Sequence, residues 1–247
     1  MTNTVEKDIC EDNSLIPAKY RVLSGSWLKL IAVVTMLIDH IASVFLRADP
    51  IVLFSALGHT FTLYEIMRTI GRVAFPIYAF LLVEGFIHTS NRKKYGTNLL
   101  VFAFISEIPW NLEHTGRLFY SSQNVFFTLF FGFLGLCIIE KCKGKKRIGC
   151  LLTVLLITLV FRADYGCVGF GFVLMLYILR ENKLLQTVIG CCSLSTTWKS
   201  GLAFIPINLY NGKRGFIKGK FMKYAFYAIY PLHMLVLYLL KLCFGGY

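Results

Sequence analysis

An all-α, polytopic integral-membrane bundle of about nine transmembrane helices is the fold class that the sequence predicts, and three observations carry it. Of 247 residues, 56% are hydrophobic and 15% aromatic, while only 16% are charged, against about 25% in soluble domains. Hydrophobic runs recur from residue 26 to the end, many of them near the length of about 17–25 residues that spans a bilayer. Lysine and arginine collect in alternate polar stretches between those runs, as the positive-inside rule requires. The formal net charge of +13 therefore reports membrane orientation and excludes a nucleic-acid partner as its explanation. The eight cysteines are scattered, with no zinc-type spacing, and read as small apolar residues.

Residues 1–25 are polar and of mixed charge, without the apolar core of a cleavable signal peptide. They are expected to form a cytoplasmic segment ahead of a single transmembrane domain, 26–247, whose first span, 26–46, acts as the insertion signal. The stretch 51–63, "IVLFSALGHTFTL", is too short to cross and reads as an interfacial helix or a re-entrant piece. Further spans are expected at 65–90, 94–112, 124–140, 147–161, 165–180, 184–198, 200–210 and 223–245. With the N-terminus inside, the clusters at 92–94, 141–147, 180–183 and 213–223 all fall on the cytoplasmic side. The expected home is a bacterial cytoplasmic membrane.

Charge inside such spans is costly, about 2.5–3.5 kcal/mol per residue at a helix centre, so it is kept for pairing or for function. In "WLKLIAVVTMLIDHIASVFL" Lys29 and His40 stand eleven residues apart, which places them on one helical stripe about 16 Å apart along the axis. Asp39 lies about 100° round from His40 and should meet a neighbouring helix. Counting depth along each span brings Asp39, His40, Arg72, Glu107 and His233 to the middle or outer leaflet. Arg72 is the expected partner of Asp39, since neither ion is tolerable alone in hydrocarbon. Pro231 frees a helical carbonyl near Tyr227, beside His233. His59, His88 and His114 fall at predicted ends or loops and receive no role. The glycines of "GCVGFGF", 166–172, miss the dinucleotide-binding spacing and suit close helix packing. No Gly-x-Ser-x-Gly, Walker or His-Glu-x-x-His motif is present.

The ordered words "MLIDHIA", "GRVAFPIYAFLLVEGFIHTSNRKKY", "ISEIPWNL", "NVFFTL", "DYGCVGFGFVLMLY", "LYNGKRG" and "KYAFYAIYPLHMLVLYL" make the chain, from about residue 26 onward, resemble the TraX family, membrane proteins implicated in acetylating the N-terminus of conjugative pilin. That family is in turn similar to the wider class of transmembrane acyltransferases, including acyltransferase-3, whose mark is Arg or Lys, ten residues, then His on the first membrane helix. Lys29 and His40 match the spacing; the commoner first residue is Arg. The resemblance implies a cytoplasmic acetyl-CoA donor, an extracytoplasmic amine or hydroxyl acceptor on a pilin end, glycan or peptide, and His40 as general base. Asp39, Arg72, Glu107 and His233 are the other candidate catalytic groups. Lys29, Arg72, Lys213 and Arg214 are the candidates for holding the donor's negative charge, and no metal or ATP is required. Two rivals remain: a transporter or channel using the same buried ions as a path, and a noncatalytic assembly factor with polar interhelical glue.

Overall fold

The computed structural model describes residues 15–56, 59–193 and 195–244; most of the predicted N-terminal segment, 1–14, lies outside the described residues. Helices follow one another in chain order: α1 (Gly25–Phe45), α2 (Leu63–Gly71), α3 (Ala74–His88), α4 (Arg92–Thr115), α5 (Val125–Lys141), α6 (Gly144–Phe161), α7 (Gly166–Ile178), α8 (Lys183–Ser193), α9 (Phe204–Asn208) and α10 (Lys220–Cys243). A 3-10 segment, Ser195–Ala203, leads into α9. Three stretches are long and apolar enough to cross a membrane: Gly25–Phe45, the joined α2–α3 stretch Leu63–His88, and Lys220–Cys243. The remaining helices coincide with the apolar runs read from the sequence to within a few residues, but several are short or carry charge.

One sequence expectation is corrected here. The 51–63 stretch is neither an interfacial helix nor a re-entrant one: β1 (Val52–Ala56) pairs antiparallel with β2 (His59–Thr62). Its β-branched and aromatic residues favour a pleated ladder, and the Phe54 and Phe61 rings stack across it at 4.7 Å. The span expected at 65–90 is present as Leu63–His88, with a turn at Arg72–Val73 between α2 and α3. Pro76 explains the turn, because its ring clashes with the carbonyl four residues back, that of Arg72. Thr62 and Glu65 form a reciprocal capping box that starts α2 where the hairpin ends.

Packing is aromatic-rich and close. Phe75, Phe80, Phe86, Phe126, Phe127, Phe133, Phe172 and Phe204 belong to one buried cluster. Helices α5 and α7 approach where Gly132 faces Val173 and Gly169 faces Thr128, so small residues let the backbones close up; Gly171 meets nothing. At the other end of the bundle, Arg92 pairs with Glu140, and the Tyr177 hydroxyl donates to the same carboxylate at 2.8 Å. That pairing ties the start of α4 to the ends of α5 and α7.

The segment 209–219, "LYNGKRGFIKG", is clamped to the start of α1. Leu23 N–H donates to the Leu209 carbonyl (3.0 Å), Asn211 N–H to Leu23 (2.9 Å) and Gly25 N–H to Lys213 (2.8 Å). The Ser26 hydroxyl donates to the Arg214 carbonyl at 3.0 Å and accepts from Ile217 N–H at 2.8 Å. Gly215 sits at φ +86°, and a Cβ there would overlap the Ser24 hydroxyl; only glycine takes that turn without strain.

Helix α2 crosses α1 at Gly71, where an added Cβ would overlap the Asp39 side chain. Replacing Gly71 by Ala is expected to destabilise the protein by about 1–3 kcal/mol through overpacking, read as a lower midpoint in a fluorescence melt of the detergent-solubilised protein.

Candidate functional site

Helices α1, α4 and α10 run in the same direction, and this places their functional side chains at two levels. At one level Lys29 of α1 senses the positive charges of Arg214 and Lys223, and Lys223 of α10 senses Lys94 of α4 and Arg214. At the other level lie His40 of α1, His114 of α4 and His233 of α10. The His40 ring centroid is 4.9 Å from that of His233 and 6.5 Å from that of His114. Along α1 the levels are about 16 Å apart.

Two of the three imidazoles are held in a defined tautomer. His233 is buried, 8% exposed, and its Nδ1 stands 2.9 Å from the Ile229 carbonyl. A carbonyl can only accept, so Nδ1 carries the proton and Nε2 keeps its lone pair. That Nε2 is buried with no hydrogen-bond partner. His114 Nδ1 stands 3.0 Å from the Trp110 carbonyl and 2.5 Å from Glu113 Oε2; the same logic puts the proton on Nδ1 and the lone pair on Nε2. Trp110 stacks on the His114 ring at 4.3 Å. The half-buried His40 ring makes no hydrogen bond among the described residues and lies edge-on to His233 and to Tyr230.

Beside the histidines, Asp39 is paired with Arg68 of α2 at 2.5 Å, their side chains 15% and 24% exposed. The expected Asp39–Arg72 pair is therefore corrected by one helical turn. Arg72 is the cap of α2, where the chain bends into α3, and it turns instead to Tyr165 and Asp164 in the connection before α7, while still adding positive charge around Asp39. Asp39 Oδ1 is buried without a hydrogen-bond partner.

Glu107, one of the candidate catalytic groups, is engaged away from the histidines. It accepts from the Nδ2 of Asn124, the buried cap of α5, at 2.6 Å; Asn124 Nδ2 also donates to the Ala103 carbonyl at 2.8 Å. Glu107 thus joins α4 to the start of α5, and Glu113, one and a half turns on, is the carboxylate that meets a histidine. Of the residues expected to hold the donor, Lys29 and Arg214 come together, Lys213 follows on the same exposed turn, and Arg72 lies at the histidine level. Arg68, Glu113, His114 and Lys223 were missed. For His114 the available signal was an acid beside a histidine four residues after a tryptophan, in "WNLEHT".

Immediately past His114, the α4–α5 connection opens a cleft of about 540 Å³ lined by Thr115, Arg117, Phe119, Tyr120 and Ser121. What is assembled is a polar cluster within a helical bundle: three neighbouring imidazoles, an ion pair beside them, cations at the far level, and a separate cleft on the connection that follows α4.

Such a fold defines a class, a helical membrane protein, here with histidines and an ion pair clustered among its helices. The chain belongs to the TraX family: residues 24–241 match the family described as TraX protein. It is similar to a probable fimbrial assembly protein FimC, serogroup H1, of Dichelobacter nodosus, 29% identical over 250 residues that cover 87% of this chain and 94% of that protein. No solved structure matches it.

The Asp39–Arg68 pair gives a sharp test of the site's construction. Arg68→Met is expected to cost about 2 kcal/mol, between the values for exposed and fully buried pairs, and Asp39→Asn added to it should recover part of the loss. Arg72→Met should leave the pair intact, so a melting comparison of the variants separates the two arginines.

Proposed function

We propose that the protein is a membrane-embedded acetyltransferase, moving an acetyl group from cytoplasmic acetyl-CoA to an amine or hydroxyl of an extracytoplasmic acceptor. The observation that carries this reading is the placement of His40 beside His233 and His114, about three helical turns from a cluster of cations. The Lys29–His40 spacing, shared with the wider transmembrane acyltransferases that the family resembles, supports it further. So does the name of the Dichelobacter relative, a fimbrial assembly protein, which favours a pilus component over a small metabolite as acceptor.

In this reading the chain crosses the bacterial inner membrane nine times with its N-terminus in the cytoplasm. Nine crossings would put the basic connections on one side, as the positive-inside rule requires. The Lys29 level is then cytoplasmic, and Lys29, Arg214 and Lys223, with Lys213 on the adjoining turn, meet the phosphates of the donor. Lysine serves here as a point charge where arginine would offer a fork.

The chemistry needs a base, an oxyanion stabiliser and a proton for the leaving group. His40, uncommitted by hydrogen bonds, takes the proton from the acceptor atom as that atom bonds to the acetyl carbon. The carbon–sulfur bond breaks, the electron pair stays on sulfur, and the histidinium returns its proton to give the thiol. His233 supports the exchange with its buried Nε2. Arg72 and the Asp39–Arg68 pair supply fixed charge near the developing oxyanion, where preorganised dipoles and ions act most strongly.

His40→Ala is expected to lower acetyl transfer from labelled acetyl-CoA to a peptide bearing a free α-amino group, in proteoliposomes, by about 100-fold or more, with insertion and elution unchanged. Transfer at the wild-type rate would remove His40 from the mechanism. Lys29→Ala and Arg214→Ala should instead raise KM for acetyl-CoA by about tenfold while leaving kcat within a few-fold, as expected for lost ground-state binding.

A further inference from the structure

The Glu113–His114 pair is not used by the mechanism above, yet it sets a buried carboxylate against one of the three histidines. Glu113 is buried, its side chain 4% exposed, and its Oε2 lies 2.5 Å from His114 Nδ1 in charge contact without a hydrogen bond. The hydrogen bond from that nitrogen goes to the Trp110 carbonyl at 3.0 Å, and the indole covers one face of the ring. The carbonyl fixes the tautomer, and the adjacent carboxylate offsets the charge that a proton arriving at Nε2 would create. The His114 side chain is 35% exposed and directly precedes in sequence the 115–121 turn that lines a cleft, whereas His233 is 8% exposed. His114 is thus the more accessible of the two carbonyl-held histidines, and the one from which a proton can reach water.

Resting on the acetyl-transfer reading, we infer that His114, positioned by Glu113, is a second acid–base group that strips the first proton from an acceptor arriving as an ammonium ion and passes it to solvent. An ammonium acceptor carries one proton more than the thiol product needs. The first leaves to His114 Nε2 and then to water, which frees the nitrogen lone pair. The second leaves to His40 as the nitrogen–carbon bond forms, and it ends on the CoA sulfur. A hydroxyl acceptor has no first proton to lose and makes no use of the pair.

The charged and titratable groups around His114 are His40 and Asp39 from α1, Arg68 and Arg72 from the end of α2, Asp164 from the connection before α7, and His233 from α10. Tyr230 of α10 flanks His40 and His233.

The test compares wild type, His114→Gln, Glu113→Gln and Glu113→Asp in proteoliposomes with acetyl-CoA and a peptide bearing a free α-amino group. At pH 6.5 only about 3% of such a group is unprotonated, and at pH 9.5 nearly all of it is, for a pKa near 8. His114→Gln and Glu113→Gln should lower kcat about 30-fold or more at pH 6.5, with KM for acetyl-CoA unchanged, and the deficit should close to about threefold at pH 9.5. Glu113→Asp should keep most of the activity. Wild-type rates for His114→Gln at pH 6.5, or an equal loss at both pH values as a merely structural role would give, overturn the inference and leave the acetyl-transfer reading standing. Absence of transfer by the wild-type protein at either pH overturns that reading and this inference with it. Should His114→Gln fail to insert, His114→Asn and the two Glu113 variants decide the same comparison.

Discussion

The site depends on the parallel course of α1, α4 and α10. Each carries a lysine near its start and, further along, a histidine at a shared level. The clamp between residues 209–219 and the start of α1 holds this alignment, because α10 begins where that segment ends. Backbone bonds from Leu23, Gly25 and Asn211, reinforced by Ser26, set the register of α10 against α1. Tight packing of α10 on α4 then carries the register to a third helix. A slip of one turn in any of the three would move its histidine by about 5.4 Å, enough to separate the rings.

The polar groups at the histidine level are costly to bury, and the structure meets that cost in three ways. Asp39 receives a guanidinium from α2, which can approach because Gly71 has no side chain at the crossing. His233 and His114 spend their Nδ1 protons on carbonyls one turn back in their own helices, a satisfaction that needs no partner from elsewhere. Glu107 is absorbed by Asn124, which uses it while capping α5. Three buried atoms at this level keep no hydrogen-bond partner, His233 Nε2, Asp39 Oδ1 and Glu113 Oε2, and others such as Asn98 Nδ2 and Ser106 Oγ lie elsewhere in the bundle. Buried polar atoms without partners are uncommon in folded proteins, and the three at the histidine level stand beside the half-buried His40 ring.

Much of this was legible in the sequence where helical periodicity governs. The Lys29–His40 stripe, the helix edges and the approach of His40 to His233 all follow from rise, turn and charge placement. The misread positions share a cause, a local backbone event that periodicity does not encode. Arg72 leaves the α2 stripe because Pro76 breaks the helix at its carbonyl, so Arg68 takes its place. The 51–63 stretch is rich in β-branched and aromatic residues, Ile51, Val52, Phe54, Thr60, Phe61 and Thr62, a strand signal that its mean hydropathy conceals. Glu113 and His114 lie at the end of α4, beyond the predicted span edge, and only the full length of that helix brings them level with His40.

Diethyl pyrocarbonate labelling read by peptide mass spectrometry tests the central claim, that His40 faces a shared chamber reached by the acyl donor. The account predicts that the His40 imidazole is modified in the membrane-inserted protein, that acetyl-CoA slows this modification, and that labelling of an exposed control, His88, is indifferent to acetyl-CoA. An inert His40, or one modified at the same rate with and without acetyl-CoA, would contradict it.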